Sequence, residues 1–314
     1  MAEAPCPEVE SAPSQNVLLY RNRQLGQGSY GVVYRAKYGR LPCAAKLLHP
    51  IFFRSDDPGC DRMVQRFERE CEFLSGLRHP NIVQYLGMYR DVESGLPVLL
   101  MELMEQSLTR FLESSTLPLL LCVQVDLCED VALALTYLHA KGIIHRDLSS
   151  NNVLLVGNKR AKLTDFGMSK LMGSQAHFTP LTQCPGCPVF MPPEALLLPP
   201  KYSKKLDSFS FGVIGVQVIT RRFPDPTQAM SVVEDARSPT GVIQIPVSEI
   251  ERRKNDLQGI SHAHPLKPLL LRCLNDNSSK RPSAEELCDE LAELKETTCY
   301  ETSRQKDEDI LQVC

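Results

Sequence analysis

Two carboxylates and an amide near the middle of the chain have the types and spacing to bind a hard cation and move a proton. In Ile143-Ile144-His145-Arg146-Asp147-Leu148-Ser149-Ser150-Asn151-Asn152-Val153-Leu154-Leu155, two short apolar runs bracket a polar loop. Loop residues in that setting are held on a rigid frame. The carboxylate of Asp147 can orient a hydroxyl and accept its proton, and the amide oxygen of Asn152 can ligate a divalent cation. Thr164-Asp165-Phe166-Gly167 supplies a second carboxylate, Asp165, for metal.

A second constellation lies nearer the N-terminus. Gly26-Gln27-Gly28-Ser29-Tyr30-Gly31 places glycines where backbone amides can approach phosphate with no side chain in the way. A dinucleotide-binding turn has the same spacing but runs into a helix, whereas Val32-Val33-Tyr34-Arg35-Ala36 reads as a strand. That favours a glycine-rich hairpin lying over a nucleotide. Lys46 stands in a short apolar strand, Cys43-Ala44-Ala45-Lys46-Leu47, where an unpaired ammonium is costly. It is either an edge-strand lysine with its head in water or a ligand of phosphate oxygens paired with a carboxylate. A helix expected over residues 63–77 offers Glu68, Glu70 and Glu72. Of these, Glu70 shares a face with Phe67, Cys71, Leu74 and Leu77, and the others are displaced by roughly 100° per residue.

The elements that must hold these residues divide the chain. Residues 1–17 are rich in Pro, Glu and Ser without periodicity and are expected to be a disordered leader. Residues 18–101 read mainly as strands around one helix, including extended runs at 82–85 and 98–101. A short join at 102–106 follows. Residues 107–296 read as mainly helical, with amphipathic helices at 123–141, ended by Gly142, and around 208–220, 266–274 and 283–295. Ser283 and Glu286 form a capping-box pattern after Pro282. Residues 297–314 are polar and charged and are expected to be a tail. The layout is α+β, with a small β-rich lobe followed by a larger helical one.

Composition narrows the setting. Hydrophobic residues make up 43% and charged residues 23% of the 314, ordinary for a globular chain able to bury a core. A formal net charge of -3 gives no reason to expect nucleic acid or an anionic membrane as partner. The longest apolar runs, 96–101 and 117–125, are too short and interrupted to span a bilayer, so no membrane insertion is expected. The start lacks the basic and apolar regions of a signal peptide, and Cys314, as the last residue, is not a lipidation box. The twelve cysteines therefore read as reduced, mostly buried small hydrophobes, and the expected localisation is cytoplasmic.

Taken in order, His145-Arg146-Asp147 with Asn152 five residues after Asp147, then Asp165-Phe166-Gly167, then Pro193-Glu194, resemble the signature of protein kinase catalytic domains. The resemblance covers about residues 20–296. The Ser149-Ser150-Asn151 stretch is most similar to the tyrosine-kinase-like group, which mostly phosphorylates serine and threonine. The resemblance implies a bilobal protein-kinase fold with a small antiparallel β-sheet N-lobe carrying one main helix and a mainly helical C-lobe. It also implies ATP and Mg²⁺ as cofactors and proteins as substrates.

On that resemblance, Asp147 is the catalytic base, Asn152 and Asp165 hold Mg²⁺, and Gly26, Gly28 and Gly31 cover the phosphates. Lys46 binds phosphate oxygens and pairs with Glu70. Met101 guards the adenine pocket, Glu102 and Met104 offer backbone groups to adenine, and Val33, Ala44 and Leu154 sandwich the ring. Leu74, Tyr85, His145 and Phe166 stack internally, anchored by Asp207, and Glu194 pairs with Arg281. Of the seven histidines, only His145 is expected to have a role.

Four departures stand out. Pro192 and Phe209 replace a usual Ala and Trp and read as packing variants. Ser149 stands where serine/threonine kinases carry Lys, and Cys187 where they carry Thr after Gly186. Serine/threonine specificity is expected, with dual or tyrosine specificity as the alternative and a pseudokinase scaffold as a reading of another class. Arg146 is the kind of residue that binds a phosphate on the following segment. Among Ser169, Ser174, Thr179 and Thr182, distance from Glu194 favours Thr179 or Thr182, modified by an upstream kinase or by autophosphorylation. Cys184-Pro185-Gly186-Cys187 reads as a tight turn before it reads as a redox or metal pair.

Overall fold

The computed structural model describes residues 16–27, 31–48, 58–91, 94–114, 117–157, 160–166, 170–171, 188–195, 202–223 and 255–311. The chain divides into two compact units, Met1–Glu105 and Gln106–Cys314.

In the first unit, β1 (Val17–Gln27), β2 (Gly31–Tyr38), β3 (Leu41–Leu48), β4 (Tyr85–Arg90) and β5 (Pro97–Glu102) form an antiparallel sheet ordered β1-β2-β3-β5-β4. The run at 82–85 becomes an isolated bridge at Ile82, and β4 starts only at Tyr85. Residues opposite one another across antiparallel strands project to the same face. One face gathers Ala36, Cys43, Ala45, Leu47, Tyr89, Val98 and Leu100 into a buried cluster. Each large side chain there contributes about 1.5–3 kcal/mol by leaving water. Helix α1 (Pro58–Ser75) packs on β4 and β5. It begins before residue 63 because Pro58 takes the first helical position, where no N–H is missed. Phe67, Cys71, Leu74 and Leu77 are all buried, as their period predicts.

The second unit holds β6 (Gln106–Ser107), α2 (Leu108–Ser114), α3 (Leu121–Ala140), β7 (Ile143–Ile144), β8 (Val153–Val156), β9 (Arg160–Leu163) and β10 (Lys170–Leu171). Beyond them come α4 (Lys205–Thr220), α5 (Lys267–Cys273) and α6 (Ala284–Leu311). The expectation of amphipathic helices fails for α3 and α4. In α4 every residue from Leu206 to Val218 is buried, and α3 buries eleven residues spread around its circumference. Both are covered from several sides: α3 by α4, α6, β7 and β9, and α4 by α3 and α5. Gly212 and Gly215 permit this, since a Cβ there would lie 2.6 Å from the Cys273 Cβ and 2.3 Å from a Leu270 methyl. Buried Asp130 on α3 accepts the Ala161 N–H at 2.7 Å and the Arg160 Nε at 3.1 Å, fixing β9 to the helix.

The Ser283–Glu286 capping box forms reciprocally, with Ser283 N–H donating to Glu286 Oε2 at 2.6 Å and Glu286 N–H donating to Ser283 Oγ at 3.2 Å. From that start α6 runs to Leu311, so the backbone over most of 297–314 is helical. The Glu, Lys and Arg content of that segment suits helix by intrinsic propensity.

Candidate active site

The loop that carries Asp147 is framed by β7 and β8, as the two apolar runs suggested, but these strands belong to different sheets. β7 pairs with β10, while β8 lies between β6 and β9. Inside the loop, Asn152 Nδ2 donates to the Asp147 carbonyl at 2.8 Å and to its Oδ2 at 3.2 Å. The Asn152 N–H also donates to the Ser149 carbonyl at 3.0 Å. These bonds bring the base and metal-ligand candidates together and use the amide's donors, leaving its oxygen as the coordinating atom.

The Asp165 segment is tied to the same loop. Thr164 N–H donates to the Asn152 carbonyl at 3.0 Å, and His145 Nε2 donates to the Thr164 carbonyl at 3.1 Å. The His145 and Phe166 rings stack at 5.1 Å between centroids, tilted by 50°. Thr109, in the first turn of α2, adds a further tie: its Oγ1 lies 2.7 Å from Ser150 Oγ, and its N–H donates to the Ser150 carbonyl at 3.2 Å.

Two residues here hold unusual backbone conformations, Arg146 at φ 69° and Asp165 at φ 61°. For Arg146 this costs on the order of 1–2 kcal/mol. The compensation comes from Asp207 in the first turn of α4, which is fully buried. Its Oδ2 accepts the His145 N–H at 2.9 Å and its Oδ1 the Arg146 N–H at 3.0 Å. His139 on α3 brings Nε2 within 2.8 Å of Oδ2. Burial alone raises the Asp207 carboxyl, but the His139 hydrogen bond and charge, with the help of His145, hold it below the ordinary 3.8.

Glu194 and Arg281 pair as the resemblance implied. Arg281 is 1% exposed and grips the carboxylate in two bonds, at 2.5 Å and 2.9 Å. Its remaining donors reach the carbonyls of Asn275 (2.7 Å), Lys205 (3.2 Å) and Asp276 (3.3 Å), so all five N–H groups of the guanidinium have acceptors. The ring of Phe209 lies 5.0 Å from its centre, which gives that departure from Trp a packing role under the cation.

In the sheet unit, register collects the remaining candidates. Gly26 opposes Val33, Val33 opposes Lys46, and Lys46 opposes Leu99. Ala44 opposes Met101 one pleat along. Gly26, Val33, Ala44, Lys46 and Met101 therefore share one face of the sheet, opposite the apolar cluster. A Cβ on Gly31 would lie 2.4 Å from the Leu47 carbonyl oxygen, so that glycine is required by strand packing, whereas one on Gly26 would meet nothing within 4 Å. Glu102 N–H is committed to the Gln84 carbonyl at 3.0 Å, and its carboxylate accepts the Gln84 N–H at 2.7 Å. Met104 follows in a half-buried loop, and Leu154 lies in β8 opposite Ser107 and Lys162.

Glu70 lies on the backbone of α1, but its side chain is outside the described ones. Glu68 bonds to Arg90 at 2.7 Å, and Glu72 is exposed. Gly28, Ser169, Ser174, Thr179, Thr182, Cys184, Gly186 and Cys187 lie outside the described residues.

A further expectation is overturned. His145 is not alone among the histidines: His139 bonds to Asp207, and His264 Nε2 lies 3.1 Å from Gln124 Oε1. The signal for His139 was a polar residue inside a densely apolar helix, which implies a buried partner. Nothing in the sequence signalled the left-handed backbone of Arg146.

Four matches to known proteins bear on this geometry. The protein kinase domain family matches residues 19–291. A probable serine/threonine-protein kinase of Dictyostelium discoideum is 33% identical over 66% of this chain and 33% of its own length. The Arabidopsis thaliana serine/threonine-protein kinase VIK is 32% identical over 87% of this chain and 59% of its own. A dual specificity protein kinase of Dictyostelium discoideum is 29% identical over 64% of this chain and 38% of its own. The chain thus spans less than two thirds of each of these relatives.

Proposed function

Because the chain belongs to the protein kinase family, we propose that it transfers the γ-phosphate of ATP to serine and threonine hydroxyls of protein substrates. The observation that carries this reading is the hydrogen-bonded unit of Asp147 and Asn152, tied through Thr164 to Asp165. In it, Asp147 orients the substrate hydroxyl and accepts its proton. Asn152 and Asp165 present an amide oxygen and a carboxylate, a donor set that suits Mg²⁺. Such a pair leaves coordination positions for substrate phosphate and water. When bound, Mg²⁺ supplies charge neutralisation on the phosphates.

Gly26, Gly28 and Gly31 let backbone approach the phosphates. The open space at Gly26 supports this, because packing does not require a glycine there. Lys46 contacts phosphate oxygens and pairs with Glu70, the two other glutamates being engaged elsewhere or exposed. Val33, Ala44 and Leu154 sandwich adenine, and Met101 closes the back of its pocket. Glu102, its N–H already used, offers its carbonyl, and Met104 offers its backbone.

Arg146 receives a phosphate placed on Thr179 or Thr182 by an upstream kinase or by the chain itself. Among the described residues no helix is long and apolar enough to cross a membrane, and the cytoplasm is the proposed compartment. Dual specificity is a second reading, favoured by Ser149 in place of Lys and by the relative named as a dual specificity kinase.

The test incubates purified protein with Mg²⁺ and γ-labelled ATP, alone and with a generic basic protein, followed by phosphoamino-acid analysis. Label on serine or threonine is expected. Phosphotyrosine would move the assignment to dual specificity. Nucleotide binding without any transfer, including in Thr179→Glu and Thr182→Glu, would make the chain a scaffold.

A further inference from the structure

Arg146 is a cation with little water around it. The residue is 8% exposed, and its Nε and Nη2 find no hydrogen-bond partner among the described residues. A buried charge left this way is costly. The bonds from Asp207 hold only its backbone. Among the described residues an aromatic ring faces the guanidinium: its central carbon lies 4.1 Å from the centroid of the Tyr202 ring. That is well within the distance at which the negative face of a ring attracts a cation. The same ring packs against Met191, Ala195 and Leu206. Tyr202 therefore touches the residue before Asp147 and packs on a cluster drawn from the segment around Glu194 and the turn of α4 that carries Asp207.

We infer that Tyr202 is a positioning residue. Its ring fixes the Arg146 guanidinium by cation–π attraction and couples the segment around Glu194 to the loop of Asp147. The effect on rate rests on the kinase reading, whereas the contact itself does not. A residue that only filled space would act through its volume. A cation–π partner acts through the electrostatics of its ring, which substitution can alter at nearly constant shape.

The test is a series at position 202 in the full chain. Tyr202→Phe keeps the ring face and should restore most of kcat relative to Tyr202→Leu, which keeps apolar packing and should lower kcat about tenfold with KM for ATP unchanged. Mono-, tri- and pentafluorinated phenylalanine at 202 drain the ring face progressively and should lower kcat in that order. In an Arg146→Met background, the same replacements should add no further loss. Should Tyr202→Leu fail to fold, the nearly isosteric fluorinated set decides alone.

Equal kcat across the fluorinated set, or an equal cost of Tyr202→Leu with and without Arg146, overturns the inference. Urea midpoints of the same variants need no turnover. Midpoints that fall with fluorination in a chain that transfers no phosphate would sink the kinase reading and leave the contact standing. Midpoints indifferent to fluorination would remove the contact.

Discussion

In the five-stranded sheet, Val33, Ala44, Lys46 and Met101 are held by backbone ladders and by an apolar cluster on the opposite face. Around Asp147 the supports are buried charges: Asp207 beneath the loop and Arg281 beneath Glu194. The contrast teaches where each half is vulnerable. A sheet face tolerates the loss of one contact, because the ladder carries the register. A buried ion that loses its partner leaves an uncompensated charge.

The largest effects should therefore come from the charges. Asp207→Ala strips acceptors from the His145 and Arg146 N–H groups and from His139. Arg281→Met leaves Glu194 unpaired. Each should cost about 3–5 kcal/mol in urea denaturation, and a cost below 1 kcal/mol at both sites would erase the contrast. The pH dependence follows the same carboxylate. Since the folded form holds Asp207 below its unfolded value of 3.8, its contribution is complete above that pH and is lost as acid titrates the folded group. Urea midpoints measured downward from pH 5 should fall below pH 4 in the wild type and fall less steeply in Asp207→Asn.

Next in size is Gly31→Ala, where the added methyl meets backbone at 2.4 Å and should cost about 1–3 kcal/mol. Ser283→Ala, which removes the capping partner of Glu286, should cost about 1 kcal/mol. Smallest is Gly26→Ala, expected to change stability by about 0.5 kcal/mol or less while weakening ATP binding. Equal destabilisation by the two glycine variants would contradict the distinction between a glycine that strand packing requires and one that it does not.

Much of this arrangement was legible from residue order. The period of Phe67, Cys71 and Leu74 marked the buried face of α1 because packing follows 3.6-residue spacing. The Ser283–Glu286 box marked the start of α6 because its mechanism is local. The frame of the Asp147 loop was legible because apolar runs bracket it, and β7 and β8 stand where those runs lie. What remained hidden is non-local. Asp207 and His139 are 68 residues apart, so no spacing rule joins them. α4 is buried on every side, and a helix without a polar face gives no sign of which neighbours cover it. The left-handed backbone at Arg146 depends on bonds from Asp207, and the stack on Tyr202 depends on a turn 56 residues later, as 202 − 146 gives.

The most direct measurement sets binding against transfer in one variant. ATP affinity and γ-phosphate transfer are measured side by side for wild type and Asp147→Asn in the presence of Mg²⁺. Since the proposed base is not itself among the residues proposed to bind adenine and phosphate, affinity should stay within about threefold, while transfer should fall by two orders of magnitude or more. Transfer by Asp147→Asn at the wild-type rate would contradict the account.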